Sequence, residues 1–196
     1  MLTRSMKSIA AVFFLSPAVL LANAHNDENS VPETLGFVEW VVLEETGLRL
    51  KARLDTGAKT SSLHAVNVEP FEKDAEEWVS FQLPLADHQD QEDADGADLE
   101  EVILEFSLPV ERTVKIKRKG APSQRRYVVN MEFCIAGTTH KTEFSLTDRG
   151  KFSYPALLGR RFMSDDNILI DSSDAFISQK ECEHKSLAEL ANKHAE

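Results

Sequence analysis

Asp55, Thr56 and Gly57 form the one Asp-Thr-Gly of the chain, inside the stretch LDTGAKTSSLHA at residues 54–65. Two kinds of chemistry fit these residue types. Asp, Thr and Gly are turn formers, because an Asx side chain bonds backbone amides ahead of it and glycine accepts φ angles that others avoid. The same three residues can also hold one carboxylate where it takes a proton from water. Three features favour the second reading. The alternating run LRLKARL (48–54) leads straight into Asp55, so the carboxylate emerges where a strand ends. Gly57 lets the backbone fold tightly there and aim amides at a carboxylate. About 100 residues later comes ALLGR, an apolar run (Leu157, Leu158) ending in Gly159 and Arg160, suited to pass beneath the turn and pin it.

The elements that must position these residues read as strands. FVEWVVLE (37–44) and LRLKARL (48–54) flank Gly47 and predict a hairpin. Period-two alternation continues through WVSFQL (78–83), VILEFSL (102–108), RTVKIKR (112–118), RRYVVNMEFCI (125–135) and HKTEFSL (140–146). NILID (167–171) and AFIS (175–178) flank a turn-like insert and suggest a terminal hairpin. One helical pattern stands out, SLAELANKH (186–194). The sum predicts a mainly β, mostly antiparallel domain, sandwich or barrel. ADHQDQEDADGADLEE (86–101) breaks the pattern with eight acids and no Lys or Arg. Its like charges repel and it has little to bury, so it reads as a solvated, flexible loop. Calcium binding is the rival reading, but the spacing of Asp87, Asp90, Asp93, Asp95 and Asp98 does not follow an EF-hand.

Residues 1–24 carry Arg4 and Lys7, an apolar run and a closing Ala22-Asn23-Ala24, the order of a secretory signal peptide cleaved after Ala24. Pro17 and the shortness of the run argue against a stable membrane anchor, which needs about 20 apolar residues. The expected location is periplasmic or secreted. Residues 25–35 are expected to be a flexible lead-in, 36–180 one β domain, and 181–196 a tail with a helix. Losing Arg4 and Lys7 moves the net charge from −11 to −13. That balance argues against nucleic acid as a partner, since a phosphate binder needs a basic surface. Cys134 and Cys182 are the two cysteines, either a disulfide that pins the tail or two unrelated thiols. No metal or cofactor is expected. The six histidines are scattered without H-E-x-x-H, and no G-x-x-x-x-G-K-[ST] phosphate cradle occurs.

With these residues in hand, the chain resembles the retropepsin-like aspartic proteases. It looks closest to a bacterial branch long labelled ATP-dependent zinc proteases and now grouped with retropepsin-like endopeptidases. The resemblance rests on Glu39-Trp40, KARLDTGAKTSSLHA (51–65), Glu69-Pro70-Phe71, RRYVV (125–129) and LLGR (157–160), and spans residues 36–178. It implies a closed β-barrel with a short C-terminal helix and an endopeptidase acting on peptide or protein substrates. Asp55 would be catalytic, with Thr56, Gly57 and Ala58 supporting the loop. Two carboxylates would share one proton. With one Asp-Thr-Gly per chain, the second Asp55 is expected from a second copy, a homodimer. Asp171 lacks the following Gly and reads as a turn. His64 reads as either a substrate contact or a structural partner of the loop. Arg125 and Arg126 read as either ligands for a substrate carboxylate or the solvated face of a strand. Two rivals remain: a non-catalytic peptide-binding module of this fold in the cell envelope, and an envelope protein in which Asp-Thr-Gly only turns the chain.

Overall fold

The computed structural model describes residues 31–88, 102–118 and 120–193. The chain from Val31 onward clusters as one unit. The predicted hairpin forms from β2 (Val38–Leu43) and β3 (Leu48–Asp55), paired antiparallel from Leu43↔Leu48 to Val38↔Arg53. Gly47 makes the turn possible at φ +77, which side chains with a Cβ rarely adopt. Strict alternation along β3 buries Leu48, Leu50, Ala52 and Leu54 and turns Arg49, Lys51 and Arg53 outward.

The principal sheet has seven strands. After β2 and β3 it takes in β4 (Ser61–His64), β8 (Arg112–Arg118), β9 (Ala121–Ile135), β10 (Thr138–Thr147) and β11 (Ala156–Gly159). Their order is β10-β4-β11-β3-β2-β9-β8, and β9 also pairs with β10. Val129, Met131, Phe133 and Ile135 of β9 share the buried face that their period of two predicts. Phe133 meets Phe144 and Phe162 edge-on, with ring centroids 5.7 and 5.2 Å apart. A second sheet joins β5 (Val66–Lys73), β6 (Glu76–Pro84) and β7 (Ile103–Pro109). Asp74 and Ala75 both have positive φ between β5 and β6, the geometry of a two-residue hairpin turn. Phe81 and Phe106 stack beneath this sheet at 5.0 Å.

Of the acidic stretch, Ala86–His88 form a 3-10 turn, while the rest of it, with four of the five calcium candidates, lies outside the described residues. Its flanks are informative: Pro84 and Ile103 are direct partners in the β6–β7 ladder. The ladder holds the ends together, so a long connection between them adds little closure entropy.

Two expectations need correction. AFIS (175–178) forms no strand, and no terminal hairpin exists. Instead β12 (Ile168–Asp171) pairs in parallel with β1 (Glu33–Gly36), so residues expected in the lead-in carry a strand. The segment 174–178 lies against β2 through single bonds, Phe37 N–H to Asp174 O (3.0 Å) and Phe176 N–H to Val38 O (2.8 Å). The buried Glu39 explains the departure from a ladder. Its Oε1 accepts the N–H groups of Gly36 (2.8 Å), Ile177 (3.0 Å) and Ser178 (3.3 Å), so a side chain takes the place of a partner strand. The four-residue β4 and β11, the longer β5 and helix α1 (Arg160–Asp165) carry no clear periodic signal; the predicted C-terminal helix is α2 (Leu187–Lys193). Among the described residues no helix is long and apolar enough to cross a membrane.

Cys134 and Cys182 form a disulfide across 48 residues, with Cα atoms 5.9 Å apart, fastening the tail to the end of β9. Replacing both by Ser frees a loop of that length, which chain entropy puts at about 4 kcal/mol. Urea unfolding of the oxidised protein and the double variant should show a loss of that order. Equal midpoints would mean that Glu39 and the backbone ties hold the tail unaided.

Candidate active site

Asp55 is the last residue of β3, a strand held between β2 and β11. Asp55 Oδ1 accepts the N–H of Gly57 (2.9 Å) and of Ala58 (3.2 Å). The residue is therefore a turn former in its geometry, and the turn leaves its side chain part-exposed rather than buried in the core. Thr56 and Gly57 are exposed at the tip, and Ala58 is half-buried. A Cβ on Gly57 would stand 3.1 Å from Asp55 Oδ1, so glycine is what lets the carboxylate lie so close.

The ALLGR segment meets this loop directly. β11 runs parallel to β3 with Leu157↔Arg53, Leu158↔Leu54 and Gly159↔Asp55 in register. On its other edge β11 pairs antiparallel with β4. Gly159 N–H donates to Ser61 Oγ (3.1 Å), and Ser145 Oγ donates to Ser61 O (3.1 Å). At the start of α1, Arg160 N–H donates to Ala58 O (2.9 Å), Arg161 N–H to Lys59 O (3.2 Å), and Arg160 Nη1 to Gly57 O (3.0 Å). The outgoing half of the loop is thus fixed at three carbonyls by the Gly-Arg-Arg sequence.

The other candidates separate. His64 is fully buried, and its Nδ1 accepts Arg149 N–H (2.8 Å), which places the ring proton on Nε2. It has no exposed surface in this chain, and its bond secures the loop after β10. Its ring meets that of buried His88 edge-on at 4.9 Å. Arg125 is exposed, 3.5 Å from Glu77, with its guanidinium 5.0 Å from the Tyr127 ring. Arg126 donates to Gln124 Oε1. Both arginines line a groove of about 350 Å³ that also includes Val66, Leu146 and Asp148. Asp171, read as a turn residue, bonds Ser173, and those bonds hold its carboxyl below the usual range. Among the described residues no three His, Cys, Asp or Glu side chains gather as a metal-holding group.

Sequence reasoning missed Arg149. It is 6% exposed, donating from Nη1 to Ser62 Oγ (2.9 Å) and from Nε to Tyr154 O (3.1 Å). Burial pushes its guanidinium down to about 10, the like charge of Arg126 adds to this, and the carboxylate of Asp55 opposes it. A buried cation thus stands within electrostatic reach of Asp55. In the sequence, Asp148-Arg149-Gly150 shows only an Asx turn; nothing there says that the arginine points inward.

A family model described as "RimB-like: Retropepsin-like aspartic endopeptidase RimB" matches residues 34–181. The chain belongs to the RimB-like family. A solved Legionella pneumophila protein of unknown function is 30% identical, with a TM-score of 0.60, over 75% of this chain and 98% of that one. Curated relatives carry the name "Probable alpha-L-glutamate ligase". The one from Shewanella pealeana is 36% identical over 144 residues, 72% of this chain and 29% of that protein. The one from Desulfotalea psychrophila is 34% identical over 139 residues, 70% and 27% respectively. The chain spans less than a third of these relatives' length, and their name describes the whole proteins.

A Cβ on Gly159 would lie 2.6–2.8 Å from backbone atoms of Thr60. Backbone cannot swing aside as a flexible side chain can, so Gly159→Ala must displace the loop. The expected cost is about 1–3 kcal/mol in denaturant unfolding, from overpacking. A variant of wild-type stability would show that the loop is not held against Gly159.

Proposed function

We propose that the protein is an exported aspartic endopeptidase of one Asp-Thr-Gly per chain, working as a homodimer on peptide or protein substrates. The observation that carries this reading is the Asp55 turn pinned to Gly159 and Arg160, which fixes a part-exposed carboxylate at a strand end. The ladder that returns from β10 to β9 supports reading the principal sheet as the closed barrel of the retropepsins. In the dimer two Asp55 carboxylates meet across a two-fold axis and share one proton, because neighbouring like charges resist a second ionisation. The ionised carboxylate takes a proton from water, and the water oxygen bonds to the peptide carbonyl carbon. The protonated carboxyl donates to the carbonyl oxygen. The tetrahedral intermediate then breaks its C–N bond: the leaving amine takes the proton drawn from water, and a hydroxyl of the intermediate returns its proton to the other carboxylate as the C=O re-forms. Thr56 and Gly57, exposed at the loop tip, are where the two copies would touch.

The relatives' ligase name is compatible with this reading, since the shared region is a minor part of those proteins. It also suggests a substrate rich in glutamate, which Arg125 and Arg126 in the groove would suit by pairing with carboxylates. Export is supported by the signal-like residues 1–24 and by the disulfide, a bond that persists in oxidising compartments.

Asp55→Asn keeps the volume and removes the acid. It should abolish peptide hydrolysis while leaving the unfolding midpoint close to wild type. Mixed dimers of one wild-type and one substituted chain should be inactive too, and wild-type activity should fall at high pH as the shared proton is lost. Hydrolysis by Asp55→Asn at the wild-type rate would reduce Asp55 to a turn residue; hydrolysis by a strict monomer would remove the dimer. Separately, N-terminal sequencing of periplasmic protein should begin at His25, and an intact Met1 on cytoplasmic protein would refute export.

A further inference from the structure

The outer face of β2 and β3 carries a second concave site, away from the Asp55 loop. A cavity of about 240 Å³ opens between that face and the tail segment 176–184. Trp40 and Phe176 form its aromatic part, with ring centroids 5.5 Å apart and planes tilted by 33°. The Arg49 guanidinium lies 4.2 Å from the Trp40 ring, and the Lys51 ammonium lies 5.2 and 5.8 Å from the two rings. Lys180 and His184 line the tail side. Lys180 also stands 3.6 Å from Glu33. Two acids line the cavity. Glu181 is exposed, whereas Glu39 is buried with its Oε1 engaged by three backbone N–H groups. Arg49 and Lys51 put two cations beside the two aromatic rings, in a chain of net charge −11.

Two further observations mark it as built. Phe176 sits at φ +56, a conformation that is an outlier for a bulky residue. Such strain persists only where the surroundings over-determine it, and it gathers at functional sites. Here Phe176 N–H bonds Val38 O, Glu39 holds the next two amides, and Cys182 is bridged to Cys134. The result is a ring 43% exposed, held against Trp40 instead of turned into the core. A small concave site with aromatic walls and a few convergent polar groups is the form that ligand pockets take. Guanidinium stacked on an aromatic ring presents its fork edge to a carboxylate.

The geometry points to a binding site for a small organic carboxylate with an aromatic or apolar body, such as the free C-terminal residue of a peptide. The body lies against Trp40 and Phe176, and the carboxylate meets Arg49, with Lys180 and His184 on the opposite wall. Arg49 and Asp55 are six residues apart on one strand, about 20 Å at the usual rise, so occupancy of this site is separable from cleavage.

The chain has two tryptophans, so a Trp78→Phe background leaves Trp40 as the fluorescent reporter. N-acetylphenylalanine should produce a saturable change in Trp40 emission. Its amide, N-acetylphenylalaninamide, should bind about tenfold more weakly or worse, because it lacks the charge-assisted contact. Arg49→Gln should weaken the acid to the level of the amide. Phe176→Gly should lose both ligands while still unfolding cooperatively, since glycine favours the φ found there. If that variant fails to fold, Arg49→Gln alone decides. Asp55→Asn should bind as wild type, whatever it does to hydrolysis. Equal affinity for acid and amide would overturn the carboxylate site and leave a generic apolar cleft. No saturable change up to about 10 mM acid would overturn it as well, since weaker binding is not recognition.

Discussion

The parallel pairing of β11 with β3 brings a glycine opposite the one aspartate of the Asp-Thr-Gly, and the loop between β3 and β4 closes over it. β11 is only four residues long, yet it forms ladders with β3 on one edge and β4 on the other. The loop 56–60 must therefore bridge two strands that flank the same short strand. That requires the backbone of Thr60 to lie within contact of Gly159, where no side chain fits. The carbonyls of Gly57, Ala58 and Lys59 then face the start of α1, where Arg160 and Arg161 satisfy them. Asp55 bonds to its own loop are the last part of this arrangement. They orient the carboxylate but could not, as short-range contacts, fix where the loop stands in the fold.

The tail is governed by a different constraint, the buried Glu39. A carboxylate removed from water is costly unless its oxygens are bonded. Glu39 meets that condition by collecting three backbone amides, one from the β1–β2 junction and two from the tail. Backbone approach at the junction is again close: a Cβ on Gly36 would lie 2.7 Å from Asp174 O. Glycine thus permits two contacts of the same kind, one beneath the loop and one beneath the tail. The disulfide then fixes the far end of the tail, and the aromatic cavity is the space left between these anchorages.

What the sequence makes legible is what repeats along it. The long strands announce themselves by alternation, so β2, β3, β6, β9 and β10 fall close to their predicted spans. The catalytic candidate and its pinning segment are legible as a motif pair, and register opposes Gly159 to Asp55 as such a pair requires. Short elements are a different matter. Four-residue strands such as β1, β4 and β11 are set by their neighbours, not by their own pattern, and β12 pairs with the chain's beginning where a local hairpin looked adequate. Side-chain direction in loops is equally hidden. His64 and Arg149 are polar residues that the fold buries against each other, and burial of a polar group is decided by partners distant in sequence. AFIS is apolar enough to suggest a strand, but the amides of Ile177 and Ser178 are taken by a glutamate side chain and that of Phe176 by Val38 O.

Arg149 joins the two levels of the site. Its backbone is held by His64 from β4, and its guanidinium by Ser62 from the same strand and by Tyr154 from the loop ahead of β11. It therefore spans the strand that follows the Asp55 loop and the approach to the strand beneath it. A cation in so dry a position is unfavourable by itself, as the lowering of its proton affinity shows, and the negative charge of Asp55 is what works against that penalty. Residues 61–64 thus supply more than a strand: through Ser61 they receive Gly159, and through Ser62 and His64 they hold the buried Arg149.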